Sequence, residues 1–297
     1  MEGTNIRFSR HPEWLKVRFP GGPNFHSLKQ LVRQHQLHTV CESANCPNLG
    51  ECWERSTATF MILGDTCTRR CGFCAVKTGR PENYDLNEPL RVAQAVRTLQ
   101  LRHAVVTSVD RDDLEDEGSA VFAETISEIR RVNPATKVEV LIPDFKGSRQ
   151  NLDRVIKADP DVLAHNLDTV PRLYPKVKPK SSYEHSLNLL SYVKSRSPRI
   201  KTKAGFMLGL GEEIEEIFQG IDDVLGAKVD ILTLGQYLRP SLKHLPLLKY
   251  YRPEEFNEFK RIGEAKGIPH VESGPLVRSS YHAAEQVEEL TGTLKLA

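Results

Sequence analysis

From about Thr57 onward, short apolar runs alternate with stretches whose apolar residues recur every three or four positions. This is the rhythm of repeated strand–helix units. The runs that read as strands are Phe60–Leu63, Ala104–Thr107, Val138–Ile142, Val162–His165, Thr202–Leu208 and Ile231–Leu234. Between them fall helical faces at Leu90/Ala93/Val96, Phe122/Ile126/Ile129, Leu152/Val155/Ile156, Tyr183/Leu187/Leu190 and Ile214/Ile217/Phe218/Ile221. A last face, Phe256/Phe259/Gly263, follows the sixth strand, with Pro253 placed for a first helical turn and Gly267 for a C-terminal cap.

Six strands, each followed by a helix, imply an α/β fold with a parallel sheet and right-handed crossovers. Six units fall short of a full eightfold barrel, so the expectation is an open, partial (β/α)6 barrel over residues 56–268. Chemistry in such a fold collects at the C-terminal ends of the strands. Residues 1–55 differ: Pro12, Pro20, Pro23, Pro47 and the Gly21-Gly22 pair interrupt any period, leaving one short helical stretch at Leu28, Leu31 and Val32. They read as an N-terminal extension ordered by the rest of the protein or by a bound cofactor. Residues 269–297 form a C-terminal segment.

Composition narrows the function. With 39% hydrophobic and 27% charged residues the chain is of ordinary globular type, and its net charge of +2 leaves no footprint for nucleic acid or an acidic membrane. No apolar run approaches the roughly 20 residues of a membrane span, and the N-terminus lacks the apolar core of a secretory signal. A cytoplasmic, reducing setting is expected, where cysteines serve as metal ligands or catalysts rather than disulfides. All six cysteines lie between positions 41 and 74. Sulfur is concentrated in one place.

Cys67-Thr-Arg-Arg-Cys71-Gly-Phe-Cys74 follows the first strand, in the loop at its C-terminal end. Three thiolates within eight residues can wrap one cubane, and soft thiolates select iron–sulfur or zinc over hard cations. A structural zinc would need a fourth ligand, and no His or further Cys stands close on the C-terminal side; a cluster with one open iron is favoured. Cys41-Glu-Ser-Ala-Asn-Cys46-Pro-Asn-Leu-Gly-Glu-Cys52 is a second set of three, which by spacing alone fits a cluster or a zinc knuckle completed by His35 or His38.

The Cys-x3-Cys-x2-Cys string, with aromatic Phe73 before its last cysteine, resembles the radical S-adenosylmethionine superfamily. That resemblance implies a [4Fe–4S] cluster on Cys67, Cys71 and Cys74 that cleaves S-adenosylmethionine, and a partial barrel. With the first triplet, Thr59–Cys74, His165–Tyr174, Lys201–Glu212, Gly235–Ser241 and Gly274–Ala283 added, the chain resembles the lipoyl synthase family from about residue 11 to 283. The resemblance implies an auxiliary [4Fe–4S] cluster on Cys41, Cys46 and Cys52. Its fourth ligand is a serine of Arg278-Ser279-Ser280-Tyr281, assigned to Ser280 with Ser279 as the alternative. Taken alone, those serines read as a helix cap or turn. A hard alkoxide is a weak partner for a cluster iron, suited to a cluster that must be taken apart.

The resemblance further suggests Thr107 and Ser108 for the methionine end of S-adenosylmethionine. Asn166, Lys203 and Glu212 are placed at or just beyond strand ends as further contacts. Asp110-Arg-Asp-Asp113 reads equally as a solvated loop or a pocket wall. Gly205–Gly211 is not a dinucleotide fingerprint, since its first glycine lies inside a strand pattern. It reads either as a strand-to-helix turn or as glycines admitting the adenosyl group. His103, His185 and His244 read as ordinary residues. The implied reaction inserts two sulfurs, at carbons 6 and 8 of a protein-bound octanoyl-lysine, with the auxiliary cluster as donor. The implied partners are an octanoylated lipoyl domain or carrier protein, a ferredoxin- or flavodoxin-like electron donor and a cluster-assembly protein. The competing readings are a radical enzyme that inserts one sulfur or relays electrons, and a zinc-stabilised α/β binding protein.

Overall fold

The computed structural model describes residues 11–17, 20–55, 57–82 and 84–291. After a single 3-10 turn at Glu13–Leu15, the extension forms α1 (Pro23–Gln34), β1 (His38–Thr39), α2 (Val40–Ser43) and α3 (Leu49–Glu54). Pro23 opens α1, where its missing N–H costs nothing, and Phe25, Leu28, Leu31 and Val32 fall on the buried face. The Glu54 carbonyl accepts from Asn24 Nδ2 at 2.8 Å, and the Phe25 ring lies 5.3 Å from the fully buried Trp53. These residues belong to the same hydrophobic cluster as Phe60, Val92 and Val96, so the extension shares its core with the barrel.

The barrel follows as β2 (Thr59–Ile62), the short ribbon strands β3 (Thr66–Cys67) and β4 (Lys77–Thr78), α4 (Glu88–Thr98), β5 (His103–Ser108) and α5 (Ser119–Val132). It continues with β6 (Lys137–Leu141), α6 (Arg149–Lys157), β7 (Val162–Ala164), α7 (Tyr174–Val177), α8 (Tyr183–Arg196), β8 (Lys201–Leu208) and α9 (Ile214–Gly226). It ends with β9 (Ile231–Gln236), α10 (Pro253–Lys266), β10 (His270–Gly274) and α11 (Ala283–Thr291). All six expected strands and their helices are present, Pro253 is at the start of α10, and Gly267 caps it with φ of 109°.

The main sheet runs β1-β2-β5-β6-β7-β8-β9-β10, parallel throughout except for antiparallel β1 on β2. The edge strands β1 and β10 do not pair with each other, so the barrel is open. β10 is a seventh parallel strand beyond the six expected, and it carries the sheet into the C-terminal segment. Alternate strand residues such as Val106, Val140, Ala204 and Leu234 join the core beneath the helices. The other face turns inward and is more polar, with Glu139 bonded to both His103 and Lys203. Val287 of α11 packs on Val162 and Ile231, the first residues of β7 and β9, closing the N-terminal mouth. Among the described residues no helix is long and apolar enough to cross a membrane.

Candidate iron–sulfur centres

The barrel triplet is held at both ends. Cys67 pairs with Thr78 in the β3–β4 ribbon, and its carbonyl accepts from the Gly79 amide at 3.0 Å. Between those pins the Cys74 amide donates to the Cys71 carbonyl at 3.2 Å, Gly72 donates to Val177 at 2.9 Å, and Leu245 donates to Gly72 at 2.9 Å. The 237–251 connection is thereby laid across the loop. His244 belongs to it and has a structural role: one ring nitrogen lies 3.0 Å from the Cys74 carbonyl and the other 2.9 Å from Ser241 Oγ. Phe73 packs with Val170, Leu173, Val177, Leu210 and Tyr237.

Asp110–Asp113 is tied into ion pairs, with Arg111 buried, Asp110 and Asp112 half-buried and Asp113 exposed. Arg69, 5% exposed, reaches Asp112 and Asp144 at 2.8 Å each, while Arg111 pairs with Asp113 at 2.8 Å. Asp110 lies 3.5 Å from both Cys67 Sγ and Arg69 Nε. Burial raises the Asp110 carboxyl against the pull of Arg69. Asp144 would be raised by burial too, but two hydrogen bonds and the charge of Arg69 bring it down to about 2. Burial pushes the thiols of Cys67 and Cys71 up to about 12, helped by Asp110 and Asp168 respectively; Cys74 is raised for the same first reason. Such thiols give up their protons to a metal rather than to neutral water.

The first triplet spans α2 to α3. Thr39 Oγ1 caps α2 by accepting from the Glu42 amide at 3.3 Å, and the Cys46 amide donates to the Cys41 carbonyl at 3.0 Å. Burial lifts Cys41 to about 11 and Cys52 to about 12, with Cys46 adding to the first and Cys41 and Cys46 to the second, while burial alone raises Cys46. The C-terminal segment closes over them. Asn48 Nδ2 donates to the Leu276 carbonyl at 2.6 Å, and Arg55 binds Glu285 at 2.7 Å and His282 at 3.0 Å. Thr59 ties the C-terminal segment to β2, donating from Oγ1 to Ser280 Oγ at 2.8 Å, and β2 pairs with Thr39, two residues before Cys41. A residue 221 positions away in sequence is thus brought to β2. Among the described residues no three His, Cys, Asp or Glu side chains are gathered as ligands of one bare metal ion.

The proposed S-adenosylmethionine contacts divide. Ser108 Oγ and Asn166 Oδ1 are buried without a hydrogen-bond partner, which marks them as groups awaiting one. A Cβ on Gly205 would lie 3.0 Å from Asn166 Oδ1 and 2.5 Å from Thr233 Oγ1, so glycine keeps this part of the inner wall open. Thr107 Oγ1 is engaged with the Leu141 carbonyl at 2.9 Å. Glu212 accepts from the Gly209 amide at 2.5 Å and the Leu210 amide at 3.0 Å; it shapes the glycine turn, whose Gly209 has φ of 114°. Lys203 is not at a strand end. It is the third residue of β8, fully buried and 3.0 Å from Glu139, which also meets His103 at 3.0 Å. His103 is likewise not an idle residue.

Sequence reasoning passed over Lys178, whose Nζ binds Asp168 at 2.8 Å and the Asn166 carbonyl at 3.0 Å. It also passed over His165, whose ring nitrogens meet the Ile142 carbonyl at 2.9 Å and Ser186 Oγ at 3.0 Å. Burial, with Lys178 adding to it, drives the His165 pKa down to about 4, so it is neutral. The available signal was that His165, Asn166 and Asp168 fall together just after a strand.

Comparison with known proteins agrees with this chemistry. The family model described as the radical SAM superfamily matches residues 61–224, and that for the N-terminal domain of lipoyl synthase matches residues 2–46. A lipoyl synthase of Rubrobacter xylanophilus is 58% identical over 94% of this chain and 87% of its own length. A mitochondrial lipoyl synthase of Nematostella vectensis is 53% identical over 93% and 94%. In fold, the chain resembles Streptococcus suis SuiB bound to its precursor peptide SuiA, with a TM-score of 0.56 at 10% identity. That match covers 88% of this chain and 54% of the longer one. Radical lipoyl synthases use S-adenosylmethionine and [4Fe–4S] clusters to insert sulfur. Two cysteine triplets on an open parallel barrel, and identity above half over nearly the whole length, lead to one assignment: the chain belongs to the lipoyl synthase family of radical S-adenosylmethionine enzymes.

Proposed function

We propose that Cys67, Cys71 and Cys74 hold the [4Fe–4S] cluster that receives S-adenosylmethionine, and that Cys41, Cys46, Cys52 and Ser280 hold a second one. In this reading the second cluster is a substrate, giving two sulfurs to carbons 6 and 8 of a protein-bound octanoyl-lysine. When bound, the first cluster and S-adenosylmethionine supply a radical able to take hydrogen from an unactivated carbon. The chain's own residues position and shield. Ser108 and Asn166 offer their unpaired polar atoms to S-adenosylmethionine, the Asp110–Arg69–Asp144 network fixes the cysteine loop, and the 237–251 connection and α11 keep water out.

The observation that supports the reading is the Thr59–Ser280 hydrogen bond, which brings Ser280 to β2 where that strand pairs with Thr39, two residues before Cys41. A serine made the fourth ligand is the easiest corner of the cluster to release, because alkoxide is harder than thiolate. The partners that complete the cycle are an octanoylated lipoyl domain, a ferredoxin- or flavodoxin-like reductant and a cluster-assembly protein. Ser280→Cys tests the assignment. The expected protein keeps both clusters but inserts sulfur poorly, because a thiolate does not let go. Unchanged turnover would remove Ser280 from the ligand set.

A further inference from the structure

Arg278, two residues before Ser280, carries a charge that the described structure leaves unbalanced. Its Nη1 donates to the Val277 carbonyl at 2.6 Å, a contact inside its own turn. The side chain is only partly accessible, and burial lowers its pKa, with Cys46 as the group pulling it back up. Other buried guanidiniums here have carboxylates: Arg69 has Asp112 and Asp144, Arg111 has Asp113. The turn is also set tightly against the barrel. A Cβ on Gly235 would lie 2.1 Å from the Val277 carbonyl oxygen and 3.3 Å from Arg278 Nη1, so β9 carries a glycine where this turn passes. Taking a cation even partly out of water without an anion is costly, so the position calls for a counter-charge.

We propose that Arg278 is a positioning residue for the second cluster: its guanidinium balances the anionic assembly held by Cys41, Cys46, Cys52 and Ser280, easing its reduction and its retention. A cubane bound by three thiolates and an alkoxide has ligand charge in excess of its core, which gives the lone guanidinium its partner. The proposal rests on the ligand assignment made above. A neighbouring cation stabilises the more negative state most, so its loss moves the reduction potential downward.

The test uses the full-length chain carrying Cys67→Ala, Cys71→Ala and Cys74→Ala, so that the first triplet alone is loaded with iron and sulfide. Arg278→Gln and Arg278→Lys are added separately. The midpoint potential is read by EPR titration, and iron release to a chelator is timed. Arg278→Gln is expected to shift the midpoint to more negative potential and to speed iron release about tenfold, while Arg278→Lys keeps most of the parent's behaviour. Failure of Arg278→Gln to load at all, with Arg278→Lys loading, also supports a charge role. An unchanged midpoint and release rate in Arg278→Gln overturns the proposal, as does equal damage from both substitutions, which points to shape instead. If the parent triple variant itself holds no cluster, the ligand assignment fails rather than the arginine.

Discussion

Gly235→Ala puts a single methyl group where β9 and the C-terminal turn meet. The added Cβ would stand 2.1 Å from the Val277 carbonyl oxygen and 3.1 Å from its carbon. An ordinary carbon–oxygen contact is roughly 3.3–3.6 Å, so one side must retreat by more than about 1 Å. The strand cannot readily yield, because Gly235 is in register with Met207 of β8 on one side and Gly274 of β10 on the other. The turn moves instead. A displacement of that size takes the Thr59–Ser280 hydrogen bond from 2.8 Å past its useful range. The cost is about 1–3 kcal/mol for overpacking plus about 1 kcal/mol for the lost bond. Anaerobically reconstituted protein is assayed for iron, thermal unfolding and S-adenosylmethionine cleavage. Iron is expected to fall from about eight per chain toward about four, with a lower melting temperature, while reductive cleavage of S-adenosylmethionine persists. Full iron content with undiminished sulfur insertion would refute the coupling between β9, the turn and the first triplet.

Other substitutions probe other links. Asp144→Asn removes a carboxylate held at about 2 by Arg69 against a free value of 3.8, worth on the order of 2 kcal/mol at 1.36 kcal/mol per pH unit. Because the folded pKa is the lower one, the loss measured by urea unfolding should be undiminished at pH 7 and pH 5 and should shrink as pH falls from 3.8 toward 2; a constant loss down to pH 2 would contradict the pairing. Asn166→Ala deletes an unpaired buried oxygen on the inner wall; S-adenosylmethionine affinity measured by calorimetry should drop about tenfold, and equal affinity would remove Asn166 from the pocket. Lys203→Met strands Glu139 in the barrel with His103 as its remaining hydrogen-bond partner. A loss of about 3–5 kcal/mol is expected on unfolding, whereas a neutral result would mean that the pair balances its own desolvation.

The barrel was largely legible because its strands, such as Ala104–Val106 and Ile231–Leu234, bury nearly every residue and therefore appear as unbroken apolar runs. β10 was not, since His270-Val-Glu-Ser-Gly274 at the sheet edge has one apolar side chain, Val271, to announce it. Cysteine spacing exposed both triplets, because each set falls within a dozen residues of sequence. Ser280 was reachable only by resemblance: what distinguishes it from a cap serine is Thr59, across most of the chain. Lys203 misled because a lysine in a strand looks like a ligand until its counter-ion is known, and Glu139 lies on another strand. The acidic run at 110–113 stayed undecided between loop and pocket wall, since its partner Arg69 sits inside the cysteine loop.

The central claim is that the first-triplet cluster is consumed as the sulfur source. Protein reconstituted anaerobically with isotopically labelled sulfide is given S-adenosylmethionine, a strong reductant and an octanoyl-lysine peptide in unlabelled buffer, and the peptide is weighed by mass spectrometry. The account predicts a dithiolated peptide with both sulfurs labelled, two 5′-deoxyadenosines per product and loss of one cluster's iron. Deoxyadenosine and methionine released with no sulfur on the peptide, or with unlabelled sulfur, would contradict it.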